Sequence, residues 1–413
     1  MNRREFLATP LALAACAGLP ARPGPGPSGW AGAERALDIG DTAQRVDIRS
    51  RADLDEALAL GDRPKVLRIH GRIDLARGRG AKDFADPAFD LGAYCRAYSP
   101  EAWGRRALSG PLEEARKRSV ARQAAEVVVK VPPRTAIIGA TPDAGFADGA
   151  LVVAGTHDVV LQDLHFHGVR DHFPAWDPLD GSKGEWNSDY DAVSIVRGRR
   201  VWVDHCTFRS AHPPVERIFD RTFETNDGLL DITRAADLVT VSWCRFSRHD
   251  KTMLIGGSDR HVDDEPHLRV TLHHNLWEDC AERTPRVRFG RVHVVNNLFV
   301  VTPGAHYGYS IGLGRNCRIV SEDNAWETGP EVDATRLVRY WGGTKFSDRG
   351  SIHNGSPLAL TAAVRRAYPA LALEEAPAFD PPPVAGRCAA TDVGQRVRAG
   401  AGAGLAAMVK FAS

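Results

Sequence analysis

A short pattern recurs in the middle of the chain and restricts its fold more than any other feature. Each copy has two apolar residues separated by one position, then four further positions and an aromatic residue. The copies are VVLQDLHF (159–166), VWVDHCTF (201–208), VTVSWCRF (239–246), VTLHHNLW (270–277) and VHVVNNLF (292–299), and IVSEDNAW (319–326) is a looser sixth. The alternation at the start of each copy is typical of a β-strand.

The spacing of the copies distinguishes two all-β architectures. The copies start at positions 159, 201, 239, 270, 292 and 319, and no convincing amphipathic helix separates them. Strands of a β-sandwich are joined by hairpins at much shorter intervals, roughly every 8–12 residues. We therefore predict that the copies stack in parallel as the coils of a β-solenoid, with the longer intervals forming loops on one side.

The position within the repeat also predicts side-chain ladders. Asn275 and Asn297 occupy the position that Cys206 and Cys244 occupy in earlier copies. Because neighbouring strands lie about 4.8 Å apart, equivalent residues of stacked coils lie above one another. The two cysteines are therefore expected to stack, either as a disulfide or as two buried free thiols.

The segments around the repeats predict the ends of the solenoid. Residues 45–75 have a strand–helix–strand pattern that suits an N-terminal cap, and the arginine-rich, partly helical residues 82–125 suit an excursion from it. Residues 357–413 contain a helical piece (LALTAAVRRAY), a proline run and AGAGAG, and are predicted to pack back over the solenoid. We predict one β-helix domain at 31–413, with its core repeats at about 130–330.

The N-terminal segment, 1–30, predicts export. Arg3 and Arg4 precede an apolar run that is too short to span a membrane, as in a twin-arginine signal. The LAAC sequence resembles a lipoprotein box and predicts a lipid anchor at Cys16, with an ordinary cleavage site as the alternative. Residues 17–30 are rich in proline and glycine and predict a tether. We expect a secreted protein or envelope lipoprotein, and a monomer because caps cover the ends of a solenoid.

The charge balance restricts the partners of the chain. With 53 Lys+Arg against 52 Asp+Glu, the chain lacks the basic excess of a nucleic-acid-binding protein. Cations are nevertheless concentrated in ERTPRVRFG (282–290), where Arg286 and Arg288 alternate with Val287 and Phe289. Strand alternation predicts that the apolar pair points inwards and the two arginines outwards. The segment is either a solvated strand face or a site for a polyanion.

Aspartates precede the repeat strands in neighbouring coils. Asp191 precedes the copy that starts at Val201, and Asp227 and Asp231 precede the copy that starts at Val239 by similar distances along the chain. Stacking is expected to bring them together, with Asp189 on the same strand face as Asp191. Close carboxylates repel one another, and Ca²⁺ accepts several such oxygen ligands in loose geometry. We therefore favour a calcium site made by stacking over separate turn or cap residues.

Cations follow the repeat strands at closely matching distances. Lys251 follows the copy that starts at 239, and Arg283 follows the copy that starts at 270 at an offset only one position larger, which predicts adjacent coils. Pro285 removes its segment from a regular ladder and is expected to turn Arg283 towards Lys251. An anion on this face would meet the calcium site, Lys251, Arg283 and Arg288 together, which favours the polyanion interpretation.

The run from 187 to 299 resembles bacterial pectate lyases of polysaccharide lyase family 1. The motifs that carry the resemblance are WNSDYDAVSI, VWVDHCTF, NDGLLDI, VTVSWCRFSRHDKTMLIGGSD, LRVTLHHN and RTPRVRFGRVHVVNNLF. The resemblance implies a right-handed parallel β-helix and calcium-dependent anti β-elimination of de-esterified polygalacturonate to 4,5-unsaturated oligogalacturonides. Thr284 stands where many relatives have alanine, a difference that is expected to matter little.

The matching motifs also imply the roles of single residues. They imply Asp191, Asp227 and Asp231 as Ca²⁺ ligands with Asp189 as a helper, Arg283 as the catalytic base, and Lys251 and Arg288 as ligands of substrate carboxylates that take part in catalysis. An arginine base needs a lowered pKa, which we expect from neighbouring Ca²⁺, Lys251 and Arg288. An alkaline optimum is expected for the same reason.

Three other activities use a similar scaffold. A polygalacturonase-type hydrolase would use Asp227 and Asp231 as acid and base, and a pectin lyase would take a neutral, methyl-esterified substrate. A non-catalytic pectin-binding β-solenoid is the third alternative. The cluster of arginines, lysine and aspartates favours the pectate lyase over all three. Trp176 and Trp186 are expected either to stack on sugar rings or to pack within their loop.

Overall fold

The structure, a computed structural model, describes residues 26–40, 43–210 and 216–404. The predicted export signal, including Arg3, Arg4 and Cys16, lies outside these ranges. Within them the chain winds as a right-handed parallel β-helix built from three sheets, as predicted. No helix in these ranges is both long enough and apolar enough to cross a membrane.

Successive coils contribute strands to three sheets, here called A, B and C. Sheet A contains Gln44–Ile48, Lys65–Ile69, Thr135–Gly139, His157–Gln162, Arg199–Asp204, Asp237–Ser242, Arg269–His273, Arg291–Val295, Arg318–Glu322 and Lys345–Arg349. Sheet B contains Arg72–Asp74, Gly145–Ala147, His165–Phe166, Thr207–Arg209, Arg245–Ser247, Leu276–Glu278, Leu298–Val301, Ala325–Thr328, Ile352–His353 and Ser356–Pro357. Sheet C contains Val128–Lys130, Ala150–Ala154, Val193–Val196, Leu230–Thr233, Leu254–Ile255, Arg286–Val287, Ile311–Gly314 and Val338–Trp341.

The remaining elements lie in loops and at the two ends. Two small hairpins pair Ala175–Asp177 with Glu185–Asn187 and Arg217–Ile218 with Arg221–Thr222. The α-helices are α1 (Arg51–Leu58), α2 (Ala81–Phe84), α3 (Leu91–Tyr98), α4 (Pro100–Trp103), α5 (Pro111–Val127), α6 (Leu360–Ala367) and α7 (Ala390–Gly400). Short 3-10 helices are Trp30–Gly32, Val262–Asp264 and Ala334–Arg336. Long loops account for the unequal spacing of the repeats. Most of them follow sheet B, and one, residues 256–268, follows sheet C.

The strand register confirms the alignment of the repeats. The first residues of the six copies are consecutive partners across sheet A: Val159, Val201, Val239, Val270, Val292 and Ile319. The aromatic residues that end the copies stack inside the helix with ring centroids 4.3–6.1 Å apart: Phe166, Phe208, Phe246, Trp277, Phe299 and Trp326. Each coil therefore buries its apolar residues directly over those of the coil below.

The turn from sheet A to sheet B places one residue per coil in the left-handed backbone region. These residues have φ values of 49° to 58° and are Asp163, His205, Trp243, His274, Asn296 and Asp323. His205 Nδ1 donates to Asp204 Oδ2 at 2.6 Å, and His274 Nε2 donates to the carbonyl of Gly386 at 3.2 Å, so both histidines have structural roles. The repeated turn keeps the strands of all coils in step.

A ladder of side chains follows this turn and satisfies its buried backbone. The amide of Cys206 contacts Cys244 Sγ at 3.4 Å, and the amide of Cys244 donates to Asn275 Oδ1 at 2.9 Å. The backbone N–H of Asn275 donates to Asn297 Oδ1 at 3.0 Å, and the backbone N–H of Asn297 donates to Asn324 Oδ1 at 2.8 Å. Both cysteines are buried free thiols, so the disulfide alternative is wrong and the thiol alternative is confirmed.

The excursion packs against a loop that lies between sheets B and C. Trp176 and Trp186 are 3% and 1% exposed, and their rings lie 5.4 Å apart. Tyr94 of α3 contacts the ring of Trp186 at a centroid distance of 6.1 Å. The tryptophans therefore pack within the loop, and the interpretation that they stack on sugar rings is wrong.

Both ends of the chain pack on the solenoid. Leu54 of α1 joins the main core at the N-terminal end of sheet A. Residues 28–30, which the sequence assigned to the tether, lie against sheet A, and the amide of Trp30 donates to Thr271 Oγ1 at 3.1 Å. At the C-terminal end α6 confirms the predicted helix, whereas α7 was not predicted and covers sheet B with Val393.

The ladder predicts an order of stabilities among its variants. Asn297→Ala removes a buried acceptor from Asn275 and buried donors to Leu272 and Val295. Each orphaned group costs about 1–3 kcal/mol. The melting temperature should therefore fall more for Asn297→Ala than for Cys206→Ala. The thiol of Cys206 makes weaker sulfur contacts with carbonyl oxygens, at 3.3 and 3.5 Å. Equal losses would contradict the role of the ladder.

Candidate active site

The candidate site lies on the outer face of sheet C. Asp231 belongs to the strand Leu230–Thr233, Lys251 immediately precedes the next strand of the sheet, and Arg283 precedes the strand after that. Lys251 and Glu282 form a parallel bridge, so Lys251 and Arg283 lie on adjacent coils as predicted. Asp191 precedes the strand Val193–Val196 in the coil before that of Asp231, so four successive coils supply the site.

Asp191 and Asp231 border one small space. Asp191 accepts hydrogen bonds from the amide of Gly228 at 2.9 Å and from Ser194 Oγ at 2.7 Å, and Asp231 accepts one from the amide of Leu254 at 3.0 Å. A Cβ atom on Gly228 would lie 2.7 Å from Asp191 Oδ1 and 2.8 Å from Asp231 Oδ1. Glycine at this position therefore keeps the space between the two carboxylates open.

The electrostatics of this pair favour a cation. Burial and then the charge of Asp227 raise the pKa of Asp191 to about 7. Burial and the charges of Asp191 and Asp227 raise the pKa of Asp231 well above its ordinary value. Carboxylates that repel one another beside an open space are a donor set that suits a hard cation such as Ca²⁺.

The other two predicted metal ligands lie differently. Asp227 Oδ1 is 3.7 Å from Lys251 Nζ, so the third carboxylate faces the lysine. In the described parts of the chain, no three His, Cys, Asp or Glu side chains form a group that could hold a metal ion. Asp189 is exposed in a segment that is not a strand, and its amide donates to Asp171 Oδ2 at 3.2 Å. The expectation that it shares a strand face with Asp191 is therefore wrong.

Lys251 is held by carboxylates in a cavity of about 270 Å³. Its Nζ lies 2.7 Å from Glu224 Oε2, and both side chains are about one-fifth exposed. Burial lowers the pKa of Lys251, but Asp227 and Glu224 outweigh it and the pKa is raised. His249 Nε2 donates to the carbonyl of Asp227 at 2.5 Å and so supports the backbone there.

Arg283 has a left-handed backbone, with φ 59°, just before the cis peptide bond Thr284–Pro285. Its Nε lies 3.1 Å from Glu282 Oε1. Burial lowers the pKa of Arg283, but Glu282, Asp227 and Asp231 outweigh burial and raise it. Without Ca²⁺, Lys251 and Arg288 therefore do not lower the pKa of Arg283 as expected, because the three carboxylates outweigh them. The expected contribution of Ca²⁺ stays a prediction.

The arginines after Pro285 alternate with buried residues as predicted. Val287 and Phe289 are fully buried, whereas Arg286 and Arg288 lie on the outer face of sheet C. Arg288 Nε contacts Asp259 Oδ1 at 2.8 Å, and its Nη1 donates to the carbonyl of Gly256 at 3.0 Å. Arg288 thus lies on the same face as the Asp191–Asp231 pair, next to a strand that is two positions from the strand of Asp231 in sheet C.

Sequence reasoning missed three contributors to the site. They are Glu224, which pairs with Lys251; Gly228, which leaves room between the aspartates; and Glu282, which pairs with Arg283. The available signal was their spacing, since Glu224 and Gly228 flank Asp227 closely and Glu282 precedes Arg283. Spacing alone does not reveal which carboxylate turns towards a cation.

A parallel β-helix whose outer face carries lysine, arginine and aspartates agrees with the polysaccharide lyase class, which comparison with known proteins shows directly. A model of the pectate lyase family matches residues 109–396. A pectate lyase from Bacillus subtilis (strain 168) is 33% identical over 352 residues, which cover 81% of this chain and 83% of the relative. The chain belongs to the pectate lyase family and is an enzyme.

Solved structures of relatives agree with this assignment. A thermostable pectate lyase is 34% identical with a TM-score of 0.88, and the match covers 91% of this chain and 97% of the other. A pectate lyase bound to a hexasaccharide is 31% identical with a TM-score of 0.86, covering 92% of this chain and 97% of the other. The whole β-helix, and not only its repeats, therefore has the form of its relatives.

The raised pKa of Asp191 predicts a pH dependence of stability. The folded protein binds the Asp191 proton up to about pH 7, whereas the unfolded chain releases it near 3.8. In chelator, this group therefore stabilises the fold most below about pH 4, and the contribution is lost as the pH rises to about 7. Asp191→Asn should remove that part of the decline in melting temperature.

The exposed neighbour provides the control for this measurement. Asp189→Asn changes the same functional group two positions away and should leave most of the pH dependence unchanged, because its charge only adds to the burial that raises the pKa of Asp171. Comparison with the unmodified protein also cancels the contribution of Asp171 and Asp348, whose pKa values burial raises to about 6. Identical profiles for Asp191→Asn and the unmodified protein would refute the assigned repulsion.

Proposed function

We propose that this protein is a calcium-dependent pectate lyase that cleaves de-esterified polygalacturonate by anti β-elimination to 4,5-unsaturated oligogalacturonides. One observation carries the proposal: the buried and mutually repelling pair Asp191 and Asp231 lies on the same face as Lys251 and Arg283. The names of the relatives, and the hexasaccharide bound to one of them, support pectate as the substrate.

The chemistry requires removal of the C5 proton of a galacturonate residue. This proton lies next to the substrate carboxylate, which acquires negative charge as the proton leaves. Lys251 is assigned to bind that carboxylate, exchanging its contact with Glu224 for one with substrate. Arg283 is assigned to accept the proton. The electron pair of the C5–H bond then forms the C4=C5 double bond as the C4–O4 bond breaks. O4 leaves with its half of the chain and takes up a proton from solvent, and Arg283 later returns the proton from C5 to solvent, so no water is consumed overall.

We assign the cation to Asp191 and Asp231, with Asp227 joining them once substrate competes for Lys251. When bound, Ca²⁺ would supply positive charge that draws negative charge onto the substrate carboxylate and offsets the aspartates that raise the pKa of Arg283. Arg283 must lose a proton before it can act as a base. Activity should therefore increase with pH, as an arginine base requires.

The remaining assignments rest on the sequence and on the position of Arg288. Arg288 is assigned to a substrate carboxylate, because its guanidinium lies on the cleft face with Asp259 as its present partner. A hydrolase would use Asp227 and Asp231 as acid and base and would give Arg283 no catalytic role, so we favour the lyase. Export through a twin-arginine signal, a lipid anchor at Cys16 and a monomeric state stay predictions from the sequence.

The direct test is the ultraviolet absorbance of polygalacturonate incubated with the purified protein. Absorbance of the conjugated C4=C5 product should increase in Ca²⁺ and should stop increasing when a chelator is added. New reducing ends without this absorbance would instead identify a hydrolase. Product formation that is unaffected by the chelator would refute the calcium requirement.

The same assay tests the base. Arg283→Lys should lower kcat roughly 10²–10⁴-fold, the usual contribution of a positioned acid or base, with a much smaller change in KM. Arg260→Lys makes the same substitution at an exposed position and should leave both constants unchanged. Equal effects of the two substitutions would remove Arg283 from the mechanism.

A further inference from the structure

The three arginines of ERTPRVRFG differ in their partners. Arg283 pairs with Glu282, and Arg288 pairs with Asp259. Arg286 lies between them and forms no ion pair with the described part of the chain. Its Nε is buried without a hydrogen-bond partner. A buried donor without an acceptor is unfavourable, and a charged one more so, which points to an anion that arrives with a ligand.

The rest of the Arg286 side chain is fixed by its surroundings. It lies over Gly312 of the next coil, where a Cβ atom would be 3.0 Å from Arg286 Cγ. Its guanidinium is 4.5 Å from the ring centroid of Trp341, two strands away in sheet C. Stacking on the ring holds the guanidinium plane and leaves its N–H edges available for a carboxylate.

A second arginine and an exposed ring complete this surface. Arg339 is exposed, and its guanidinium lies 6.0 Å from the Trp341 centroid and 5.6 Å from the Tyr309 centroid. Trp341 is 42% exposed, although large apolar side chains are usually covered. Burial and the neighbouring Arg288 keep the pKa of Arg286 below its ordinary value, which agrees with the lack of a compensating anion.

The position of this surface connects it to the cleft. Along sheet C the strand of Asp231 is followed by those of Leu254, Arg286, Gly312 and Trp341. With strands about 4.8 Å apart, Trp341 lies two spacings, or about 10 Å, from the strand that Arg283 precedes. A polymer that lies along the stacking direction of the coils would extend from the reacting residue onto this surface.

We propose that Arg286, Arg339 and Trp341 form a distal subsite that binds the carboxylate and ring of one further galacturonate residue. Each arginine offers a planar fork that matches a carboxylate, and the exposed indole offers a rigid apolar face to the sugar ring. The subsite rests on the proposed substrate, since a neutral sugar would leave Arg286 without its anion. It selects longer pectate chains over short ones.

The test measures binding without turnover. Arg283→Lys serves as the background, and titration calorimetry in Ca²⁺ measures the binding of saturated digalacturonate and hexagalacturonate. The dimer is too short to fill both the reacting position and this surface. Adding Arg286→Lys, which keeps the charge and loses the fork, should weaken hexagalacturonate binding about tenfold. Trp341→Ala should do the same, and the affinity for digalacturonate should change less than about twofold for both.

Controls separate the subsite from the fold. Tyr340→Ala removes the adjacent aromatic residue of the same strand and should not affect the affinity for hexagalacturonate. Tyr340 is 38% exposed and packs on Tyr368. If a variant unfolds, Arg339→Gln provides the same measurement at an exposed residue. Equal losses for both oligomers, or no loss for the hexamer, would overturn the subsite.

The outcomes also separate the subsite from the proposed lyase activity. In one outcome, the protein with its native Arg283 yields no unsaturated product while the subsite variants still lose affinity for the longer oligomer only. That result would support the subsite and refute the lyase. Unsaturated product together with no length-dependent loss would support the lyase and refute the subsite. A protein that binds neither oligomer refutes the subsite directly.

Discussion

The register between coils is the constraint on which the rest of this structure depends. Parallel strands place Val159, Val201 and Val239 directly over one another, and the same register continues to the last repeat. The left-handed turn residue and the ladder that ends in Asn297 and Asn324 repeat in step with it. A slip of one residue would turn every apolar side chain outwards, so burial and hydrogen bonding enforce one alignment.

This register concentrates charge that is dispersed along the sequence. Asp191 and Asp231 lie in different coils and far apart in the chain, yet both border the space that Gly228 leaves open. Lys251 and Arg283 reach the same face from the next two coils. A rigid β-helix can keep like charges together because apolar burial and backbone hydrogen bonds hold its coils in place. The site is therefore organised in advance to bind ions of opposite sign.

Much of this arrangement was predictable, for a physical reason. Strand alternation and repeat spacing follow from local sequence, so the coils, the alignment of Lys251 with Arg283 and the outward direction of Arg286 were all predicted. Side-chain direction in loops does not follow from spacing. Asp189 is therefore exposed outside any strand and does not share a strand face with Asp191. The lack of a partner for Arg286 became visible only with the packing of Trp341.

Elimination without water is the central claim, and the masses of the products distinguish it from hydrolysis. Trigalacturonate is incubated with the protein and Ca²⁺, and the products are identified by mass spectrometry. The account predicts an unsaturated product and a saturated product whose masses sum to that of the substrate. Two saturated products whose masses sum to that of the substrate plus one water would contradict it.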